Sequence, residues 1–589
     1  MRSVGRAKVP SRRGWWRSNE AMMRLEFEET RAIRRSWLGL DIMASLVLVM
    51  IVGLNLWLFT SVSPMIWVDQ IADDAYYYLG IARSLAEHGR FEFLPPFETN
   101  GFQPLWQALL AVAALAGGTS TRAMVIECYG LSAGFVALFV VLSRRLNGSA
   151  LAAALITLLF PTVMLSGMET VMIPAFALLF LNARGWKLRG VLGALIFLSR
   201  LDAISFVVAR DVYGLIRRRE VDVRHYAIIG PVALGYVAFN YLQFGVYLPV
   251  SGLAKSLHMT PFENITMAKQ YLIWAIPALG ILAIALAAKA MTGTRSWNLK
   301  YGEEMAISTM AATVCALYYG SLSGWPLWAW YAWAPMLVTY YATLEAIAIV
   351  RADVAQKRII VPGAAMAAIG VIIVFTGGAG YASNTGRLLV QAHDHAPLTA
   401  NFARKNLELV DWVKARQLPH GTMFAMGDRA GSFGFFLGED YRFLHAEGLV
   451  ADASYYRAMK DDAALAYVKR LPIDYWIADR VQYLQSDAIF GVAEPVQGMS
   501  MHKGGYMICF GPNAIVNDQS YPSGSSPTHV QTEQRYVFDM KARVECPDPM
   551  QAEFEALRAG YGRVRAFSLP IEQATRGMFN PYVKRFLGL

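Results

Sequence analysis

Several apolar stretches of this chain approach the roughly 20 residues that an α-helix needs to cross a bilayer. Their repetition constrains the fold more than any other feature. The first runs from Ile42 to about Val62, another from Arg122 to Leu142, and the last ends near Tyr381. Only 17% of the residues are charged and 55% are hydrophobic, where a soluble protein carries about a quarter charged. The expected fold is a polytopic α-helical membrane protein. A net charge of +10 would suggest nucleic acid in a soluble chain. Here the basic residues cluster in short segments between apolar runs, the pattern of cytoplasmic loops, so no nucleic-acid partner is expected.

Residues 1–40 are basic and precede the first run, which is too long for a signal-peptide core and lacks a convincing cleavage site. It reads as an uncleaved anchor with the N-terminus in the cytoplasm. Placing the basic groups at Arg144–Arg145, Arg184–Arg189, Arg217–Arg224, Lys289–Lys300 and Arg351–Arg358 inside gives about eleven spans between residues 41 and 381. It also leaves the short stretch Leu105 to Ala116 on the outer surface, not spanning. An odd number of spans puts residues 382–589 outside. That region has no span and mixes amphipathic helix (AALAYVKRL) with strand-like runs (PIDYWIAD, GYMICFGP), as expected of one periplasmic α/β domain. Within it, YPSGSSPTHVQTEQ reads as a loop and Gly427 to Gly431 as a tight turn after a strand. Cys509 and Cys546 could pair there in an oxidising compartment.

Several polar groups fall on the outer side. In the first outer loop, residues 63–121, Asp73 and Asp74 precede a helical pattern in which Tyr78, Ile81, Ala82 and Leu85 share a face. Acids at a helix start are stabilised by its free N–H groups; the other reading is catalytic. Glu169, in Ser166–Thr170, is either a helix-start cap or a site residue. Arg200 and Asp202 either pair to cap two half-length helices or serve function, since ionisable groups at membrane depth are costly. Lys255, in Tyr247–His258, is a snorkelling interfacial lysine or a phosphate partner. Trp325, Trp328, Trp330, Tyr331 and Trp333 form an aromatic belt, of which one or two could stack on a sugar.

Asp73-Asp74-Ala75-Tyr76-Tyr77-Tyr78, followed by Thr99-Asn100-Gly101-Phe102-Gln103-Pro104-Leu105-Trp106, resembles the first extracytoplasmic loop of GT-C fold glycosyltransferases that use polyprenyl-phosphate sugars. The outer segment GDRAGSFGFFLGEDYRFLHAEGLVADASY is similar to the C-terminal domain of arabinofuranosyltransferase-like members from mycobacterial cell-wall synthesis. The resemblance covers about residues 40–260 and 420–480. It implies that Asp73 is the base on the acceptor hydroxyl, while Asp74 positions a substrate, or holds a divalent cation with Asp73 where members use one. Gln103 stands where histidine is common, and Pro-Val-Ser replaces the Pro-Asn-Thr of the arabinosyl members.

The expected function is an inverting glycosyltransferase of the inner membrane. It would move a sugar from a polyprenyl-phosphate donor to a hydroxyl of a cell-envelope glycan or glycolipid on the outer face. Asp73 and Asp74 would be catalytic, with Glu169, Arg200, Asp202, Lys255, His258, Asn100, Gln103 and Tyr331 binding substrate. Sugar transfer needs a base and charge stabilisation for the leaving group; a lipid phosphate leaving group needs no second carboxylate as nucleophile. Two alternatives stand beside it. A lipid-linked glycan ligase or flippase would, as a flippase, keep a cavity continuous to both faces. A non-enzymatic envelope scaffold would leave the acids and Lys255 far apart.

Overall fold

The computed structural model describes residues 12–219, 222–257, 268–291, 299–325, 327–355, 385–386, 388, 390, 402–478, 481–484, 489–497, 500–522 and 532–559. Six helices in them are long and apolar enough to cross a membrane: Trp37–Ser61 within α1 (Arg12–Ser61), α4 (Thr121–Asn147), Val223–Phe244, Ala268–Ala287, Gly302–Leu322 and Ala329–Ala352. Four shorter helices lie between the second and third of these: α5 (Ala150–Leu159), α6 (Met172–Asn182), α7 (Trp186–Ser199) and α8 (Ile204–Arg218). At 10–15 residues each they are shorter than a membrane span; of the roughly eleven expected spans, six are of membrane length among the described residues, and the last, ending near Tyr381, lies outside them.

Side-chain bridges gather the basic loops at one end of the bundle. Arg144 pairs with Asp41 at 2.8 Å, Arg351 donates to the Gly148 carbonyl at 3.0 Å, and the Tyr301 hydroxyl donates to the Asn147 carbonyl at 3.1 Å. Arg218 reaches Glu303 at 2.7 Å. The opposite end carries the first outer loop. Its helix α2 (Asp73–His88) starts at the acidic pair and stops at Gly89, whose positive φ of 69° closes the last turn. Next comes α3 (Pro104–Gly117), an apolar helix of 14 residues, about 21 Å long and too short to span. Both of its ends return to α2: the Gln103 amide donates to the Tyr78 hydroxyl at 3.2 Å, and Arg83 donates to the Thr119 carbonyl at 3.2 Å. It therefore lies beside α2, as the short apolar run predicts.

The C-terminal region holds two sheets. One has the order β2-β1-β3-β8-β7, with β1 (Met423–Met426) parallel to both β2 (Arg442–His445) and β3 (Tyr475–Ala478), and β8 (Thr532–Asp539) antiparallel to β3 and to β7 (Ile515–Pro522). The other is antiparallel, in the order β4 (Val481–Leu484), β5 (Ile489–Gln497), β6 (Ser500–Phe510) and β9 (Arg543–Val544), where β6 carries Cys509, disulfide-bonded to Cys546. The segment read as AALAYVKRL contains the helix Ala464–Arg470. The stretch read as a loop after Tyr521 is shorter than its composition suggests, because β7 runs to Pro522 and β8 starts at Thr532.

The segments that leave the C-terminal ends of the parallel strands β1 and β2, the usual ligand edge of such sheets, face the first outer loop. After β1 the chain turns at Gly427–Ala430 and enters a short helix, Gly431–Leu437. The Asp73 carboxylate takes that turn: one oxygen accepts from the Gly431 amide at 2.8 Å, the other from the Ser432 amide at 2.9 Å and its hydroxyl at 2.8 Å. Contact is so close that a Cβ on Gly431 would sit 2.1 Å from the Asp73 carbonyl oxygen. After β2, the Leu449 carbonyl lies over Gly101, where a Cβ would meet it at 2.0 Å; only glycine fits. Arg404 adds a bond to the Met65 carbonyl at 2.9 Å.

Asp73 thus docks the outer domain. Asp73→Ala leaves two amides and a hydroxyl short of an acceptor and is expected to cost about 1–2 kcal/mol. Asp73→Asn keeps one acceptor oxygen but sets its NH2 against one of the two amides, so it should lose part of that. Hydrogen exchange of residues 427–437 reads the difference: fastest exchange in Asp73→Ala and an intermediate rate in Asp73→Asn are expected, and unchanged protection in both variants would contradict the docking role.

Candidate active site

Where the first loop, the ends of the short helices and the outer domain meet, they enclose a cavity of about 480 Å³. Asp74, Gln103, Glu169, Arg200, Asp202, Lys255 and Tyr331 all line it. Seven of the ten residues singled out in the sequence therefore converge, from segments up to 257 positions apart. Two of the others do not. Asp73 points into the outer domain, its oxygens occupied by Gly431 and Ser432. Both oxygens of the residue expected to be the base, alone or with Asp74 on a cation, thus accept hydrogen bonds from that domain. Asn100 is buried and acts as a clamp: its amide donates to Asn240 at 2.9 Å and to the Leu248 carbonyl at 3.1 Å, while its oxygen accepts from the Val250 amide at 2.9 Å. It holds the Pro-Val-Ser turn that starts the Lys255 helix, Val250–Lys255. His258 lies outside the described residues.

One face of the cavity is a closed ionic network. The Arg200 guanidinium donates to Glu169 at 2.6 Å, to both oxygens of Asp202 at 2.8 and 3.2 Å, and to the Tyr319 hydroxyl at 3.2 Å. Tyr319 and Trp333 in turn donate to Asp202 at 2.6 and 3.3 Å. Arg200 stacks on the Tyr331 ring, 4.6 Å from its centroid. Such a network is costly to form and more costly to break, about 3–5 kcal/mol for losing one partner of a buried pair. Gln103 joins it by accepting from the Leu201 amide at 3.3 Å. The pairing reading of Arg200 and Asp202 is the one realised, with Glu169 added as a third member from the turn before α6.

Lys255 stands apart from that network. Its ammonium donates to the Tyr331 hydroxyl at 2.9 Å and lies 5.7 Å from the Trp325 ring centroid. Among the described residues no carboxylate comes within 4.0 Å of it. Burial would pull its pKa down, but Tyr331 and Asp74 outweigh burial and hold it above the usual lysine value. The ammonium is therefore charged, with donors to spare. Asp74 is its electrostatic counterpart. Burial pushes the Asp74 carboxyl up to about 7, against the pull of Lys255 and with help from Asp73, Glu169 and Asp428. Among the described residues it forms no hydrogen bond with the protein.

The outer domain supplies Leu449 and Val450 to the cavity wall, with Glu447 and His445 behind them. Burial, then Asp428, Asp74 and Glu494, hold the Glu447 carboxyl well above its ordinary range. His445 is pulled down to about 3 by burial and meets the Tyr77 hydroxyl at 2.8 Å. The residues missed in the sequence are Tyr77, Tyr319, His445 and Glu447. Tyr77 had a signal, the three-residue spacing that sets it one turn after Asp74 on α2. The two outer-domain residues had none, because only the docking at Asp73 brings HAEG to the loop. Among the described residues, the one group of His, Cys, Asp or Glu ligand atoms lying within 4.8 Å of one another is Glu87, His88 and Glu439, outside this cavity.

Chemically, the arrangement offers a carboxylate poised to take a proton near neutral pH, an ammonium able to receive a phosphate, and a mixed polar and apolar wall. No family model and no curated protein matches the chain. Among solved structures it is similar to ArnT from Cupriavidus metallidurans bound to undecaprenyl phosphate, at 12% identity and a TM-score of 0.43, over 82% of this chain and 97% of that one. It is also similar to ArnT from Cupriavidus metallidurans in the apo state, at 11% identity and a TM-score of 0.46, over 86% and 98% of the two chains.

Proposed function

We propose that the protein is an inverting glycosyltransferase that takes a sugar from a polyprenyl phosphate and passes it to a hydroxyl on the outer face of the cytoplasmic membrane. The observation that carries this reading is the meeting of Asp74 and Lys255 in one cavity. They are 181 positions apart, and a scaffold has no use for an unpaired acid facing a cation. Asp74, in place of Asp73, is the base. It takes the proton of the acceptor hydroxyl as that oxygen attacks the anomeric carbon. The bond from that carbon to the phosphate oxygen breaks, and polyprenyl phosphate leaves with the electron pair, its charge met by Lys255 and the Tyr331 hydroxyl. Arg200 is committed to Glu169 and Asp202, so it shapes the wall behind the phosphate. Lys255 carries the charge.

A lipid donor fits the open side of the cavity. Val208, Val314, Tyr318 and Leu322 line it and are exposed, and they belong to α8 and the membrane-length helix Gly302–Leu322. An exposed apolar wall on membrane helices leads from bilayer to site. The orientation follows from the clustering of basic loops at the far end, which the positive-inside rule assigns to the cytoplasm. The disulfide Cys509–Cys546 agrees with an oxidising compartment for the outer domain. Residues 1–40 then form a cytoplasmic segment, 41–381 the membrane domain and 382–589 the periplasmic domain.

The test is release of polyprenyl phosphate from a polyprenyl-phosphoryl sugar by protein in proteoliposomes supplied with envelope glycan. Asp74→Asn should lower the rate by about 10²–10⁴-fold, while Asp73→Asn keeps most of it; wild-type rates in Asp74→Asn would remove the assignment. Since Asp74 is ionised only above about 7, kcat/KM should rise with pH through that value and then level off. A flat profile from pH 5 to 9 would argue against a carboxylate base. In intact cells, a membrane-impermeant maleimide applied after mild reduction should label Cys546, the more accessible partner of the buried Cys509. Labelling only after the membrane is broken would reverse the orientation.

A further inference from the structure

The contact between Tyr77 and His445 has a direction, and the direction gives the hydroxyl a task. His445 ends β2, and its Nδ1 accepts the Leu449 backbone N–H at 3.2 Å. An amide can only donate, so Nδ1 carries no proton. The ring then holds its one proton on Nε2, and a charged ring would set two N–H groups against each other. The surroundings favour the neutral ring as well: His445 is buried, and its nearest carboxyl, Glu447, lies 3.8 Å from Nε2, beyond hydrogen-bond reach. Nε2 meets the Tyr77 hydroxyl at 2.8 Å, so Nε2–H donates and the phenol oxygen accepts.

The phenol proton is consequently barred from His445 and must point elsewhere. Among the described residues no protein acceptor takes it. Tyr77 is buried, lines the cavity, and follows Asp74 by three positions on α2, so the two side chains share one helical face. Its ring is wedged edge-on between Phe93, with centroids 5.1 Å apart, and His445, at 4.9 Å, which leaves the hydroxyl little freedom except rotation of its own proton.

We propose that Tyr77 is the hydrogen-bond donor of the acceptor subsite, and that His445, reaching in from the outer domain, is a positioning residue that keeps the hydroxyl donating toward a sugar oxygen beside Asp74. The ligand is a neutral hydroxylated sugar, bound through a hydroxyl or ring oxygen next to the one that reacts. This rests on the reading of Asp74 as the base. It makes the outer domain part of the acceptor site: when Asp73 docks that domain, His445 arrives and Tyr77 is turned to donate. Without it the hydroxyl could rotate its proton away and offer a lone pair instead, which a sugar hydroxyl would meet with a different geometry.

Transfer kinetics and histidine spectra together test this. With octyl glycosides as acceptors, Tyr77→Phe and His445→Leu should each raise the acceptor KM by about tenfold, the loss of one neutral hydrogen bond, and leave the donor KM unchanged. The double variant should be no worse than Tyr77→Phe, because His445 acts through the hydroxyl. His445→Gln, whose amide nitrogen can stand where Nε2 stood, should recover most of the binding. Multiplying losses in the double variant, or a rise in donor KM instead, would overturn the proposal. Independently of turnover, ¹⁵N-histidine spectra, with the His445 signal assigned by its absence in His445→Gln, should report the Nε2–H tautomer and shift in Tyr77→Phe. An Nδ1–H tautomer would overturn it too. If the wild-type protein transfers nothing, the acceptor role falls with the transfer reading, and the spectra still decide the hydroxyl's orientation.

Discussion

Three hydrogen bonds from Gly431 and Ser432 to the Asp73 carboxylate hold this architecture together at its functional end. They divide the labour of two neighbouring acids. On a helix, adjacent residues point about 100° apart, so one position can face the outer domain while the next faces the cavity. Asp73 satisfies the free amides of the turn after β1. Asp74 is left without a partner in a site closed by the domain that Asp73 holds. Burial, which raises its pKa, depends on that closure.

The same economy applies to the cations. Four of the five Arg200 N–H groups are taken by Glu169, Asp202 and Tyr319, each within hydrogen-bond distance. Its fork joins the turn before α6 to the turn before α8. Lys255, a point charge on a flexible stem, has one neutral partner in Tyr331 and remains able to bind an anion. The guanidinium that braces the wall and the ammonium left with spare donors are therefore different residues, built from the same three turns. Leu449 and Val450 close the polar side, and the apolar residues of the membrane helices form the other.

Much of this was legible from residue patterns. Apolar run length gave the six membrane-length helices, because it follows from burying uncharged surface in lipid. The brevity of Leu105 to Ala116 correctly kept it beside α2. Charged residues at membrane depth pointed to Glu169, Arg200 and Asp202, since only pairing or function justifies their cost, and Lys255 stood out as an outward-facing cation. The order of the two acids was not legible: a resemblance aligns Asp73 with the first acid of a pair, but the partner that claims it is more than 350 positions away. The clamp at Asn100 was not legible for a related reason. Its type suits a sugar, yet its three bonds hold the Pro249 turn. His445 and Glu447 gave no sign because their role exists only after docking.

The central claim is the pairing of Asp74 and Lys255 around one sugar phosphate. A cryo-electron microscopy structure of the protein with a non-cleavable polyprenyl-phosphonate sugar tests it most directly. The account predicts the phosphonate within hydrogen-bond distance of the Lys255 Nζ and the Tyr331 hydroxyl, with the anomeric carbon facing Asp74. A phosphonate held elsewhere, or a sugar beyond reach of Asp74, would contradict it.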